Sequence, residues 1–142
     1  VAGTDISQFT KFKDGEDGIK YEKDGDKRSG RISKVKKPVI AQIEGACMGA
    51  GLEIACCCDI RIAGAAARFG APIARLGFPM APREAQLVAA VAGEATLREM
   101  LLEAVQLDAG EMKARGFLQR VVPNPALAQE VEAWVGESRG AN

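Results

Sequence analysis

The chain has 142 residues, 19 Lys plus Arg against 19 Asp plus Glu, and no histidine. Zero net charge argues against a nucleic-acid binder, which needs surplus Lys and Arg facing phosphates, and the lack of histidine excludes a Ser-His-Asp triad, a Cys-His dyad, and HExxH or Cys₂His₂ zinc sites. At 47% hydrophobic with 16 glycines, the sequence reads as one soluble globular domain able to bury about 68% of its unfolded surface.

Residues 1–37 carry ten basic and seven acidic side chains. A segment this polar buries little, which predicts a mobile charged loop over 7–37 with a short helix within residues 21–35. The opening Val1-Ala2-Gly3-Thr4-Asp5-Ile6 has neither the charged nor the apolar region of a signal peptide. The most apolar stretch, Val39 to Ala67, is interrupted by Glu44, Glu53, Asp59 and Arg61. A spanning helix needs about 20 predominantly apolar residues, so none is expected there.

Beyond Pro38 the character changes. Val39 to Ile43 is a short apolar, β-branched run and reads as a buried strand. Gly45 to Gly51 is a glycine-rich turn, Leu52 to Cys58 an apolar helix, and Asp59 to Ala63 the next strand, with a further extended piece at Ala67 to Phe69. Pro82 opens a helix that Gly93 ends, and Leu97, Met100, Leu101 and Ala104 mark a second amphipathic helix. Asp108 with Glu111 has the spacing of a capping box, and Gly116 supplies a stop. Leu118 to Val122 reads as a strand, and Asn124-Pro125 opens a last helix running through Trp134.

The cysteines are Cys47, Cys56, Cys57 and Cys58. Three in a row on a helix point about 100° apart and cannot converge on one metal. No CxxC spacing exists, so they read as small buried hydrophobes in a reducing compartment, the cytoplasm or an organelle matrix.

The most informative segment is strand, glycine turn, helix: IAQIEGACMGAGLEIACCCD. Three glycines let the backbone approach a ligand and turn its N–H groups outward, and the start of a helix points the same way. Such a turn suits an anion, either a phosphate or a developing oxyanion. The spacing matches neither GxxxxGK[ST] nor GxGxxG, so nucleotide loops are excluded and a small negative charge held by amides remains. Glu53 lies in the first helical turn. It is either an acid favoured there by the dipole or a carboxylate placed beside the oxyanion site to move a proton.

The segments AGTDI (2–6) and KKPVIAQIEGACMGAGLEIACCCDIRIAGAAARFGAPIARLGFP (36–79) together resemble the enoyl-CoA hydratase/isomerase (crotonase) family, and the similarity continues to about Val122-Pro123. The resemblance implies an α/β fold of the crotonase-like (Clp-protease-like) ββα spiral type, partial here and followed by helices. It implies a core over 1–123 and a C-terminal helix and tail over 124–142. It implies an acyl-CoA thioester as partner and substrate, whose enolate is stabilised by the backbone amides of Thr4 and Ala50. Ala2, Thr4, Asp5 and Ile6 would line the coenzyme A and thioester channel, and Met48, Gly49 and Ala50 would border the reacting acyl group. Pro72 and Ile73 belong to the same substrate-binding set.

The family's hydratases use two glutamates. The first falls on Glu53. The second follows the proline of an FGxPE pattern, and here Phe69-Gly70-Ala71-Pro72-Ile73 puts Ile73 at that position. One-carboxylate chemistry (isomerisation, thioester hydrolysis or decarboxylation) and a non-catalytic acyl-CoA binding or assembly subunit are therefore the alternatives to hydration. Among other charged groups, Asp59 reads as a structural cap, Glu84 as an acid in a first helical turn, and Arg75 as a surface arginine within possible reach of an acyl tail or Glu53. Lys11 and Lys13 read as loop residues before they read as phosphate contacts. No metal and no cofactor are implied, beyond coenzyme A as part of the substrate. The family's domain is longer than this chain, which reads as a fragment or an abbreviated member, and a homotrimer or hexamer is implied for the full domain.

Overall fold

The β-branched run after Pro38 forms strand β1 (Ile40–Ile43), and a second short strand, β2 (Ala46–Met48), follows it. The computed structural model describes residues 27, 29–77 and 79–140. Residues 29–33 are helical, within the range predicted for a short helix. After β2 come helix α1 (Ala50–Cys56), β3 (Ile60–Gly64) and β4 (Arg68–Gly70). β3 returns parallel to β1 and β4 parallel to β2, so each pair of consecutive strands places one strand in each of two sheets. The first sheet is completed by β6 (Arg120–Val122), parallel to β3, and the second by β5 (Leu107–Asp108), antiparallel to β4. The orders are β1-β3-β6 and β2-β4-β5.

A 3₁₀ turn (Pro72–Leu76) follows β4 and leads to helix α2 (Pro82–Ala92). Helix α3 (Glu94–Arg98) continues directly into a π-helical turn (Glu99–Glu103). Helix α4 (Ala109–Ala114) precedes β6, and a 3₁₀ turn (Asn124–Ala126) opens the terminal helix α5 (Leu127–Gly140). None of the helices among the described residues is long and apolar enough to cross a membrane.

Leu52 of α1, Phe69 of β4, Val88 of α2, Met100, Met112 of α4 and Phe117 fill one continuous apolar core. The Phe69 and Phe117 rings meet edge to face, with centroids 5.6 Å apart and planes at 76°, the arrangement that aromatic quadrupoles favour. β3 is covered on both faces, since consecutive residues from Arg61 to Gly64 are all buried, as expected of a central parallel strand. Gly64 is required by close approach: a Cβ there would collide with the side-chain oxygen of Asn124. That oxygen accepts the Ala66 N–H at 3.2 Å and ties the end of β3 to the turn before α5.

Several predicted elements shift. The glycine turn predicted over 45–51 contains β2, because Ala46, Cys47 and Met48 pair with Arg68, Phe69 and Gly70 of β4. Helix α1 begins at Ala50 instead of Leu52 and ends at Cys56, so Cys57 is its C-cap and Cys58 lies outside it. The early stop has a cause in Arg61, whose guanidinium takes the Ala55 carbonyl at 3.3 Å and the Cys58 carbonyl at 2.8 Å. The helix predicted around Leu97 to Ala104 is α3 plus the π turn, and it ends where Ala104 turns left-handed at φ 53°. Only half of the predicted capping box forms. The Asp108 carboxylate accepts the Glu111 N–H at 2.8 Å, but the Glu111 side chain reaches forward to Arg115. Asp59 acts as a turn cap, accepting the Val39 N–H at 2.7 Å.

Candidate functional site

The pairing of β2 with β4 fixes the approach to the site. At the end of β2, Gly49 donates its N–H to the Gly70 carbonyl at 3.0 Å, and the chain turns through φ 52°, ψ −116° into α1. A non-glycine residue is strained in that conformation. No other atom lies within 4 Å of a Cβ built at Gly49, so the backbone conformation alone demands glycine there. With the Gly49 donor committed, the next N–H belongs to Ala50, the first helical residue, where the geometry of an α-helix provides no intrahelical acceptor. The seven-residue helix contributes little macrodipole, so the amide itself is the useful group.

One turn along α1, Glu53 donates its backbone N–H to the Gly49 carbonyl at 3.1 Å, which locks the acid to the same glycine. The residue is buried, with 6% of its surface exposed. Its carboxylate Oε1 accepts a hydrogen bond from the Ser29 hydroxyl at 3.0 Å. Buried carboxylates are stable only when hydrogen-bonded or paired. Among the described residues every buried side-chain nitrogen or oxygen has a partner. Ser29 comes from the helical residues 29–33, where the Ser33 hydroxyl donates to the Ser29 carbonyl at 3.3 Å. Nothing in the sequence marks Ser29, which lies 24 positions from Glu53 within a charged segment.

Met48, Gly49, Ala50 and Glu53 are thus brought together by one strand-turn-helix unit. Pro72 and Ile73 follow β4 on the neighbouring 3₁₀ turn. Met48 and Pro72 share a small cleft with Gly70, Arg75, Val105 and Gln106. Ile73 is half-buried and packs against the apolar core. Arg75 does not pair with Glu53; it donates to the Ala104 carbonyl at 3.2 Å. Glu84 stands in the first turn of α2. The expectations for Ala2, Thr4, Asp5, Ile6, Lys11 and Lys13 fall outside the described residues. No cluster of three or more Cys, Asp or Glu able to hold a metal ion occurs among the described residues.

Cys47 and Cys56 are buried, whereas Cys57 and Cys58 are half-exposed, so the expectation of four buried cysteines holds for two of them. Burial pushes the Cys47 thiol up to about 11 and the Cys56 thiol up to about 12. The thiolate is the reactive form, and raising the pKa depletes it at neutral pH. Cys47 and Cys56 are therefore expected to escape iodoacetamide in the native protein at pH 8 and to react once urea unfolds it, as mass spectrometry of the alkylated peptides would show.

Substituting Gly49 is expected to strain the turn without any steric clash. Gly49→Ala should cost about 1–3 kcal/mol of stability and displace the Ala50 amide. Urea denaturation measures the first effect. An unchanged denaturation midpoint would contradict the conformational requirement.

The family model for enoyl-CoA hydratase/isomerase matches residues 1–138. The short-chain-enoyl-CoA hydratase of Clostridium acetobutylicum is 36% identical over 122 residues, covering 86% of this chain and 46% of that protein. The crotonyl-CoA hydratase of Syntrophomonas wolfei is 32% identical over 136 residues, covering 96% of this chain and 52% of the relative. Among solved structures, an enoyl-CoA hydratase/carnithine racemase from Magnetospirillum magneticum superposes with a TM-score of 0.90 at 36% identity, over 96% of this chain and 52% of the other. The chain spans about half the length of these relatives.

Proposed function

Because the chain belongs to the enoyl-CoA hydratase/isomerase family and has its crotonase fold, we propose that it processes acyl-CoA thioesters through an amide-stabilised enolate. The observation that carries this reading is the buried Glu53 carboxylate, held by Ser29 on the helix whose first N–H is that of Ala50. The thioester carbonyl oxygen accepts the Ala50 N–H, together with the Thr4 N–H carried over from the family motif. As the α-proton leaves for the Glu53 carboxylate, the electron pair moves into the carbonyl and the amides meet the developing charge. Such donors act only where charge develops, so they lower the barrier to enolate formation and do not simply tighten binding. The reading invokes no metal or redox cofactor, and coenzyme A enters as part of the substrate. Met48, Gly49 and Ala50 border the acyl group in this reading, Pro72 and Ile73 belong to the same substrate-binding set, and the channel residues Ala2, Asp5 and Ile6 are carried over from the family motif. Trimeric or hexameric assembly belongs to the same reading, and sedimentation velocity tests it.

Ile73 favours a second reading within the same chemistry. Hydration of an enoyl thioester needs one group to activate water and another to protonate the α-carbon. Ile73 offers neither a proton nor an acceptor and packs against the core. Glu53 working alone suits migration of a double bond, in which one carboxylate takes a proton from the α-carbon and returns it to the γ-carbon. It also suits thioester hydrolysis or decarboxylation.

Two substrates separate these outcomes. Loss of conjugated absorbance with crotonyl-CoA reports hydration, and gain of that absorbance with the β,γ-unsaturated isomer reports isomerisation. Tight binding of acyl-CoA with no turnover of any thioester would replace the enzyme by an acyl-CoA binding or assembly subunit.

A further inference from the structure

The hydroxyl of Ser29 reaches across 24 residues of sequence to the Oε1 atom of Glu53 at 3.0 Å, with the Cys57 thiol also beside it. A carboxylate has two oxygens, and a donor fixed on one of them sets the direction in which the other points. Glu53 is 6% exposed, so water does little of this work. Three further contacts hold the donor and the acid. The Ser33 hydroxyl donates to the Ser29 carbonyl at 3.3 Å. The Lys34 N–H donates to the Gly30 carbonyl at 3.2 Å, and the Glu53 N–H is bound to Gly49 at 3.1 Å. Donor and acceptor therefore sit on separately braced backbone, and their contact anchors Oε1.

We infer that Ser29 is a positioning residue for Glu53: its hydroxyl anchors Oε1 and leaves Oε2 to take and return the α-proton of a bound acyl-CoA. The inference rests on the role given to Glu53 above. Serine does not touch the substrate and exchanges no proton with it. It orients the base, and the gain lies in the fraction of time the free oxygen is aligned with the C–H bond.

Butyryl-CoA in deuterium oxide isolates this step. The Glu53 carboxylate removes an α-proton, the electron pair enters the enolate, the carboxyl proton exchanges with solvent, and a deuteron returns to the α-carbon. Proton NMR follows loss of the α-proton signal, and the rate at several concentrations separates kcat from KM. With the full chain, Ser29→Ala should lower kcat for exchange on the order of tenfold, the value of one hydrogen bond to a charged group, and leave KM unchanged. Ser29→Thr, which keeps the hydroxyl, should restore most of the rate. An exchange rate in Ser29→Ala equal to wild type, with Glu53→Gln inactive, would overturn the role of Ser29 and leave that of Glu53 standing. A loss in Ser29→Ala that follows a lowered melting temperature and is not restored by threonine would overturn it as well, in favour of a structural contact. Absence of exchange in the wild-type chain, or exchange that survives Glu53→Gln, would overturn the reading of Glu53 and the inference with it.

Discussion

Glu53→Gln is expected to lower turnover of acyl-CoA thioesters by about 10²–10⁴-fold, the usual cost of removing a general acid–base group, while the fold survives. Glutamine keeps the size of the side chain and its capacity to accept the Ser29 hydroxyl at the amide oxygen. It cannot carry the α-proton. Binding should change little, since the proposed contacts to the thioester are the backbone amides and the apolar border residues. A loss confined to kcat, with KM and the melting temperature close to wild type, is the predicted pattern. Turnover that persists in Glu53→Gln would remove this residue from the mechanism. The absence of histidine sharpens the test, because no imidazole can substitute for the carboxylate.

Arg61→Ala should give the largest loss of stability among the charged residues, about 3–4 kcal/mol. Arg61 is 7% exposed, yet its partners are backbone carbonyls: Nε donates to Phe117 at 2.8 Å, and Nη1 to Ala55 and Cys58. Its guanidinium also lies over the Phe117 ring, 5.0 Å from the centroid. Burial lowers its pKa from the ordinary arginine value, an effect that nearby Cys56, Cys58 and Asp59 oppose. The group still remains a cation, as arginine does throughout proteins. Three carbonyls thus converge on one fork, one from the last turn of α1, one from just beyond its C-cap and one from the segment leading to β6.

Removing the fork leaves the Phe117 carbonyl without its side-chain donor and takes one from the Cys58 carbonyl, while Ala55 keeps the Cys58 N–H, and it frees the end of the helix that carries Ala50 and Glu53. Arg61→Lys should recover only part of the loss, because one ammonium lacks the rigid planar reach of the guanidinium. Urea denaturation of the three proteins measures this order. Equal midpoints for wild type and Arg61→Ala would refute the account. If the helix end loosens as described, Arg61→Ala should also reduce catalytic turnover, even though Arg61 touches no substrate.

Much of this protein could be read along the chain. The apolar β-branched run after Pro38, the glycine turn and the following acid were visible from residue types over a span of about 15 positions. So were the stops at Gly93 and Gly116, which have φ of 96° and 87°, because a left-handed terminus selects glycine locally. The Asp108 cap was legible for the same reason. Strands β2 and β5 were not. They have three and two residues, too few for an alternating pattern, and they exist only because β4 lies between them to supply hydrogen-bond partners.

From sequence alone, the lack of histidine left acid–base work to carboxylates, Lys, Tyr, Cys or the backbone, and the strand-turn-helix segment offered an amide-rich turn with Glu53 beside it. Tertiary structure decided how those groups are held. It committed the Gly49 amide to Gly70, buried Glu53 against Ser29 from 24 positions away, sent Arg75 to Ala104 instead of Glu53, and packed Ile73 against the core. The physical reason is one of range: propensity, capping and glycine conformation act within a turn or two. Hydrogen-bond partners for buried polar groups come from segments that only the packed fold brings together.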